Sequence, residues 1–417
     1  MCQGPPPLAA PAGASQRRVE LADIFRAHGE HYRHTHALAR PQSRAMRAIE
    51  NCRTAALGGH RKVCEACGAS QILYNSCRNR HCPKCQGLAK ERWVEARRAE
   101  LLPIDYFHVV FTLPHDLNPL AQGNPRLIYE LLFQTAASTL ASFARDPKHL
   151  GGELGATAML HTWSQNLSQH IHLHVVVTGG CLSADRSRWI HPKRALRAKR
   201  SFLFPVKALS IVFKRRYLDA LRLAFSAGEV HFSASTAPLE RTDAFSRWLA
   251  RLRHQSWVVY CKAPLAGPGQ VLDYLARYTH RVAISNERIL AFDNGLVRFR
   301  WKDRAHGNAS KVMTLEAEEF IRRFLLHVVP DGFVRIRHFG ILANRTRREK
   351  LRRCRELLGQ SPAPPQRSPE SVRDMVLRLN GIDIDLCPVC HRGRLRTVEI
   401  IPPARLPPGP LPACIPS

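Results

Sequence analysis

The residues with the clearest chemical potential lie in the run Gln169-His170-Ile171-His172-Leu173-His174-Val175-Val176-Val177, where imidazoles alternate with aliphatic side chains. In an extended strand, residues two apart share a face. The three histidines then form one row, and Ile171, Leu173 and Val175 face a core. Two imidazoles at that spacing can hold a divalent cation and leave positions open for water and a phosphate oxygen. His172 and His174 lie deeper in the apolar run and are the preferred pair, with His170 at the exposed strand entrance. A third ligand is expected from a neighbouring strand. His161 and Gln165, in His161-Thr162-Trp163-Ser164-Gln165, are the candidates, and spacing does not choose between them.

A second group is Asp273-Tyr274-Leu275-Ala276-Arg277-Tyr278-Thr279-His280-Arg281. On a helix, Tyr274 and Tyr278 stand one turn apart on one face, with Arg277, His280 and Arg281 close by. Such a pair is commonly a packing feature. Beside a metal-bound phosphate it could instead be nucleophilic, since neighbouring cations favour the phenolate. In-line attack would leave a phosphotyrosine and a free hydroxyl.

Thirteen cysteines form the third group. Cys64-x-x-Cys67 and Cys82-x-x-Cys85 are fourteen residues apart, the pattern of a zinc ribbon in which four thiolates surround one Zn²⁺. Cys52, His60, Cys77 and His81 lie in the same stretch and are candidates for a second zinc. Arg78, Arg80 and Lys84 would make the ribbon cationic, suited to DNA contact or docking. Cys387-x-x-Cys390, followed by His391, is a single knuckle without an evident mate; Cys354 and Cys414 are the nearby thiols.

The elements that must position these groups follow from pattern and punctuation. Strands are expected at Phe107 to Thr112, Ala158 to Trp163, Ile171 to Val177 and Trp257 to Lys262. Helices are expected at Leu88 to Leu102, Leu127 to Phe143, Val206 to Phe225, Gln270 to His280 and Arg345 to Leu358. Asp293-Asn294-Gly295 marks a tight hairpin. Without a strict βαβ rhythm, the reading is α+β.

The 417 residues carry 63 Lys and Arg against 33 Asp and Glu, a net charge of +30. That excess points to a polyanion, most commonly nucleic acid, and disfavours acidic solvating proteins and neutral metabolic enzymes. Nine basic residues, including Arg345, Arg347 and Arg348, fall between Arg335 and Arg355 against the single acid Glu349. They read as a phosphate-contacting surface. A second basic run spans Lys193 to Arg200. No apolar run is long enough to cross a membrane and no secretory signal is evident, so the expected location is cytoplasmic.

Taken together, these residues resemble the insertion-sequence-91 family of two-tyrosine HUH transposases. The resemblance rests on His172-Leu173-His174 with the Tyr-x-x-x-Tyr helix, and on Tyr74 to Cys85 as the zinc-binding block. It extends to Phe111-Thr112-Leu113-Pro114, His161-Thr162-Trp163, Tyr278 to Asn286 and His338 to Asn344, covering roughly residues 45 to 355. It implies an HUH nuclease fold, a central antiparallel sheet flanked by helices, with an N-terminal zinc-ribbon-like domain. It further implies a single-stranded DNA endonuclease and strand transferase working by a rolling-circle-like route. Tyr274 and Tyr278 would be the nucleophiles, and His172 and His174 the ligands of Mg²⁺ or Mn²⁺. Arg277 and Arg281 would join the basic residues above on the DNA. The domain expectation is a flexible leader at 1–20, a zinc-binding domain at 21–100, the two-tyrosine domain at 101–355, and a Pro-rich linker with a basic tail at 356–417. His170-Ile171 departs from the His-Pro common in the family, which should alter only the strand entrance. No G-x-x-x-x-G-K-[ST] loop is present, so unwinding is expected from a host helicase or replication machinery. A rolling-circle replication initiator or relaxase is the alternative enzyme, and a non-catalytic zinc-ribbon DNA-binding regulator the alternative of another class.

Overall fold

A computed structural model describes residues 18–192, 203–265, 270–271, 282–303, 306–362 and 370–404. The chain opens with helices α1 (Leu21–Thr35) and α2 (Arg40–Glu50), then strands β1 (Gly59–Cys64) and β2 (Ser70–Tyr74) and helix α3 (Gln86–Arg98). Strand β3 (Tyr106–Thr112) and helices α4 (Asn118–Gly123) and α5 (Pro125–Arg145) follow. Next come β4 (Gly152–Glu153), β5 (Gly155–Trp163), β6 (Gln169–Thr178), β7 (Cys181–Ser183) and β8 (Trp189–Ile190). Helices α6 (Val206–Ser226) and α7 (Thr242–His254) lead to β9 (Val259–Leu265). Beyond it lie β10 (Ile289–Asp293), β11 (Leu296–Asp303), β12 (Ala309–Glu316), α8 (Ala317–Leu325) and β13 (Ile336–Gly340). Helices α9 (Arg347–Leu357) and α10 (Val372–Asn380) and strand β14 (Leu395–Ile401) complete the described elements.

A five-stranded antiparallel sheet in the order β13-β5-β6-β3-β9 forms the centre, with the histidine strand β6 in the middle position. Alternation decides its two faces. Phe107, Val109 and Phe111 of β3, Ala156, Ala158 and Leu160 of β5, and Ile171, Leu173, Val175 and Val177 of β6 point to one side. There they pack with Leu132, Phe133, Phe213, Tyr217 and Phe245 from α5, α6 and α7 into the largest core. The opposite face carries the imidazoles. One smaller apolar cluster covers that face around Tyr106, Met159, Val176 and Leu351, and another lies beyond Trp163 and Leu167. This is the expected α+β architecture.

The hairpin expected at Asp293-Asn294-Gly295 joins β10 to β11, with Asn294 at φ +50° and Gly295 at φ +76°, and β12 completes a second antiparallel sheet. Helices α1 and α2 pack on this sheet and on α8: Leu21, Phe25 and Ile49 share one core with Phe299, Phe320 and Phe324. This core joins residues on both sides of position 100. Within the stretch expected as a Pro-rich linker and basic tail, 356–417, β14 pairs antiparallel with β1 from Gly59↔Ile401 to Cys64↔Leu395 and makes the sheet β14-β1-β2. Its strand signal was masked because Thr397, Val398 and Ile400 are exposed and leave no buried alternation to read.

Candidate active site and cysteine clusters

Three adjacent strands supply the imidazoles. His161 of β5 stands directly opposite His172 of β6, and His174 lies two residues along β6 on the same face. Ring nitrogens of His161, His172 and His174 all lie within 4.8 Å of one another, and all three side chains are buried. The His172 Nδ1 lies 2.8 Å from the His170 carbonyl oxygen. A carbonyl can only accept, so Nδ1 carries a proton, and Nε2 is the ring nitrogen left to face the cluster. That Nε2 is 3.1 Å from Nε2 of His174, so the two nitrogens converge. The backbone thus fixes the ring so that Nε2 is the nitrogen a metal would take.

His174 is held from behind by His108 of β3, whose Nε2 is 3.0 Å from the His174 Nδ1, and His108 itself is buried. Sequence reasoning passed over His108. Its signal was a lone imidazole among the apolar residues of Phe107 to Phe111, at the parity of the site-facing side chains. Of the candidates for third ligand, the structure brings His161 into the cluster, where Trp163 stacks on its ring at a centroid distance of 4.7 Å. Gln165 lies in the β5–β6 turn and lines the cavity above. His170 stands outside the three-histidine cluster and meets His115, Nδ1 to Nε2, at 3.1 Å.

The histidines floor a cavity of ≈ 250 Å³ walled by His115, His170, the turn residues Ser164 to Asn166, and Trp301 and Lys302 of β11. One lysine and several imidazoles thus line the same cavity, a set of groups suited to an anion. Deeper in the fold, burial pushes His327 down to about 4, and its Nε2–H donates to the Leu167 carbonyl at 3.1 Å. Tyr274, Tyr278, Arg277 and Arg281 lie outside the described residues, as does the basic run at 193–200. Of the other cations expected on DNA, Arg78, Arg80, Arg345 and Arg348 are exposed. Lys84 instead pairs with Glu20, and Arg347 with Glu100 at 3.1 Å, which ties both into the fold.

The cysteines regroup relative to expectation. Cys64, Cys67, Cys82 and Cys85 do not form one site. Cys82 and Cys85, at the start of α3, join Cys52 and Cys77, whereas Cys64 and Cys67 join Cys387 and Cys390. The reason is β-pairing: β14 laid along β1 brings the knuckle ahead of β14 onto the knuckle that closes β1. His60 and His81 belong to neither cluster. His60 sits mid-strand between Leu73 and Ile400, and His81 is buried and pushed down to about 3 by that burial and by Arg335 and Arg80. In the first cluster the thiols share contacts of 3.5 Å (Cys52–Cys85) and 3.6 Å (Cys77–Cys85), and a hydrogen bond from Cys77 lowers Cys52 to about 7. Four soft thiolates are the donor set of structural zinc, and the chain is a zinc-binding protein on that chemistry.

Two family models match the chain: "Transposase zinc-binding domain" over residues 24–113 and "Putative transposase" over residues 155–350. The chain is 53% identical over 384 residues to "Putative transposase y4qJ" of Sinorhizobium fredii, covering 91% of this chain and 95% of that one. It is 28% identical over 320 residues to the "Transposase for insertion sequence element IS801" of Pseudomonas savastanoi pv. phaseolicola, covering 75% and 73%. Among solved structures, "TrwC complexed with a 27-mer DNA" aligns over 43% of this chain and 68% of its own length at 14% identity. With a TM-score of 0.23, that likeness carries no argument. No helix among the described residues is long and apolar enough to cross a membrane.

Proposed function

The chain belongs to the insertion-sequence-91 family of transposases, and from that premise we propose that it nicks and rejoins single-stranded DNA through 5′-phosphotyrosine intermediates. The carrying observation is the convergence of the His172 and His174 Nε2 atoms, 3.1 Å apart beside His161, with the His172 tautomer set by a backbone carbonyl. Three converging imidazoles fit a divalent cation, which binds them in their neutral form. A nitrogen-rich set favours Mn²⁺ over Mg²⁺, which prefers an all-oxygen shell. When bound, the ion would polarise a phosphoryl oxygen.

The chain's own residues would do the rest. Lys302 and the imidazole floor would orient one scissile phosphate, and Trp301 at the rim offers a face for a base. Tyr274 or Tyr278 would attack the phosphorus through its phenolic oxygen. The P–O3′ bond breaks, the 3′ oxygen leaves as a hydroxyl after taking a proton, and the 5′ phosphate stays on the tyrosine. The second tyrosine could then cut again while the first holds its end, and attack by a 3′ hydroxyl would restore a DNA linkage without ATP. Residues on either side of the tyrosine segment support this reading. Val271 packs with Met159 and Val176, and Ala283 and Ile284 pack with Trp163 and Leu167, both next to the imidazole face.

The test is incubation of the full chain with labelled single-stranded DNA from the element's terminus plus Mn²⁺, followed by denaturing electrophoresis. A covalent adduct is expected from the wild type and none from the double variant Tyr274→Phe, Tyr278→Phe. An adduct persisting in that variant would sink the proposal. His172→Ala should abolish the adduct while DNA binding in a gel-shift assay stays within about threefold.

A further inference from the structure

We infer that Cys64, Cys67, Cys387 and Cys390 form a second tetrathiolate zinc site, separate from the Cys52, Cys77, Cys82 and Cys85 cluster, which clasps the segment carrying β14 onto the ribbon. It lies apart from the histidine cavity and is independent of the proposed reaction.

The sulfur spacing fits the ion. Around Zn²⁺ with Zn–S bonds of about 2.3 Å, tetrahedral sulfurs stand about 3.8 Å apart. The contacts that cross from one knuckle to the other are 3.7 Å (Cys64–Cys390) and 3.8 Å (Cys67–Cys387), between residues 326 and 320 apart in sequence. A disulfide would need sulfurs at about 2.05 Å.

Both knuckles also share a backbone form. Gly68 follows Cys67 at φ +69° and His391 follows Cys390 at φ +54°. In each, the N–H of that residue donates to the carbonyl of the first cysteine at 3.0 Å, Gly68 to Cys64 and His391 to Cys387. Amides point at the sulfurs as well: Ala66 N–H to Cys64 Sγ, Val389 N–H to Cys387 Sγ and Gly393 N–H to Cys390 Sγ, each at 3.4 Å. An N–H donating to sulfur favours the thiolate, the form that binds metal. Hydrogen bonds of the two loops to each other, such as Glu65 N–H to the Arg394 carbonyl at 3.0 Å, fix them face to face.

The loops interlock at Gly393. A Cβ built there would lie 2.4 Å from Cys64 Sγ and 2.6 Å from Ala66 Cβ. Only a residue without a side chain lets the first knuckle come this close. Apolar packing at the cluster is slight: besides its cysteines, it consists of Leu395 and Ala69. Hydrophobic burial is therefore small, and metal coordination would lock the two loops that the β1–β14 pairing brings together.

The test is metal content of the purified full-length chain. About two zinc ions per chain are expected in the wild type and about one in the double variant Cys387→Ser, Cys390→Ser. Cys77→Ser with Cys85→Ser should also leave about one, from the other cluster. Gly393→Ala should lose the same ion as the Cys387/Cys390 variant. A wild-type count of one, iron in place of zinc, or an unchanged count in the Cys387/Cys390 variant would overturn the inference. Cys390→His guards against misfolding, because histidine can replace a thiolate ligand. After exchange with Co²⁺ it should keep the wild-type metal count but lose about one eighth of the sulfur-to-cobalt absorbance. An unchanged spectrum would also overturn the site.

Discussion

At the scale of single residues, the site is built by proton placement as much as by proximity. The His170 carbonyl fixes where the His172 proton sits, and His108 fixes the His174 ring. Such supporting partners typically contribute tenfold to hundredfold in metal affinity. His108→Ala is therefore expected to raise the Mn²⁺ concentration giving half-maximal cleavage by about 10–100-fold, with activity recovered at saturating Mn²⁺. Titration of cleavage against Mn²⁺ checks this, and loss that metal cannot restore would contradict the positioning role. His327 makes a different prediction. Its folded value of about 4 lies below the ordinary 6.5, so protons bind the unfolded chain more tightly. The stability contributed by the neutral ring is complete above pH 6.5 and is lost as pH falls toward 4, at about 1.4 kcal/mol per unit. His327→Gln can keep a donor to Leu167 and an acceptor beside Thr162 without titrating. Between pH 6.5 and 5 the wild type should lose on the order of 2 kcal/mol more than this variant in denaturant unfolding, since contributions from the cysteines are common to both.

At the scale of elements, the alternation of β6 was legible because one face enters a large core, and that forces every second residue of Gln169–Thr178 inward. Strands β3, β5 and β9 and helices α5 and α6 were legible for the same reason. Helices α1 and α2 were not read at all. Buried residues such as Leu21, Ile24 and Phe25 of α1 and Met46 and Ile49 of α2 recur at helical spacing but are few, and the core they enter is completed by Phe299, Phe320 and Phe324, more than two hundred residues away. The junction of β13 with β5 depends on one backbone geometry. Gly340 has φ +62°, and a Cβ there would lie 1.8 Å from the Leu154 carbonyl oxygen. Gly340→Ala is expected to cost about 3 kcal/mol or more, because strain in φ and the clash with backbone add. A shift of the denaturation midpoint smaller than about 1 kcal/mol would show that the edge strand is not fixed by this turn.

At the scale of the whole molecule, the net charge of +30 acquires a route. On β11 the exposed Arg298, Arg300 and Lys302 share one face, about 6.7 Å apart, and Lys302 reaches the histidine cavity. This row was not singled out from sequence, where arginines alternating with Val297, Phe299 and Trp301 look like any solvated strand. Each cation that meets a phosphate of single-stranded DNA changes the slope of log affinity against log salt by about 0.7. The triple variant Arg298→Ala, Arg300→Ala, Lys302→Ala should therefore reduce that slope by about 2, measured by fluorescence anisotropy over a salt series. An unchanged slope would place the DNA elsewhere.

Local chemistry settled what the sequence could determine alone: the histidine row, the cysteine knuckles, the excess of cations and the main strands and helices. The charge excess is a matter of composition, and the others are encoded in local runs of sequence, by periodicity or by ligand spacing. Partnership across the chain was decided only in three dimensions. Sequence spacing grouped Cys64 and Cys67 with Cys82 and Cys85, yet antiparallel pairing of β14 on β1 gives the first pair to Cys387 and Cys390. Strand register sets His161 opposite His172 while Gln165 falls in the turn, and His108 meets His174 only because β3 lies beside β6. Register and pairing are contacts between distant segments, so no local pattern carries them.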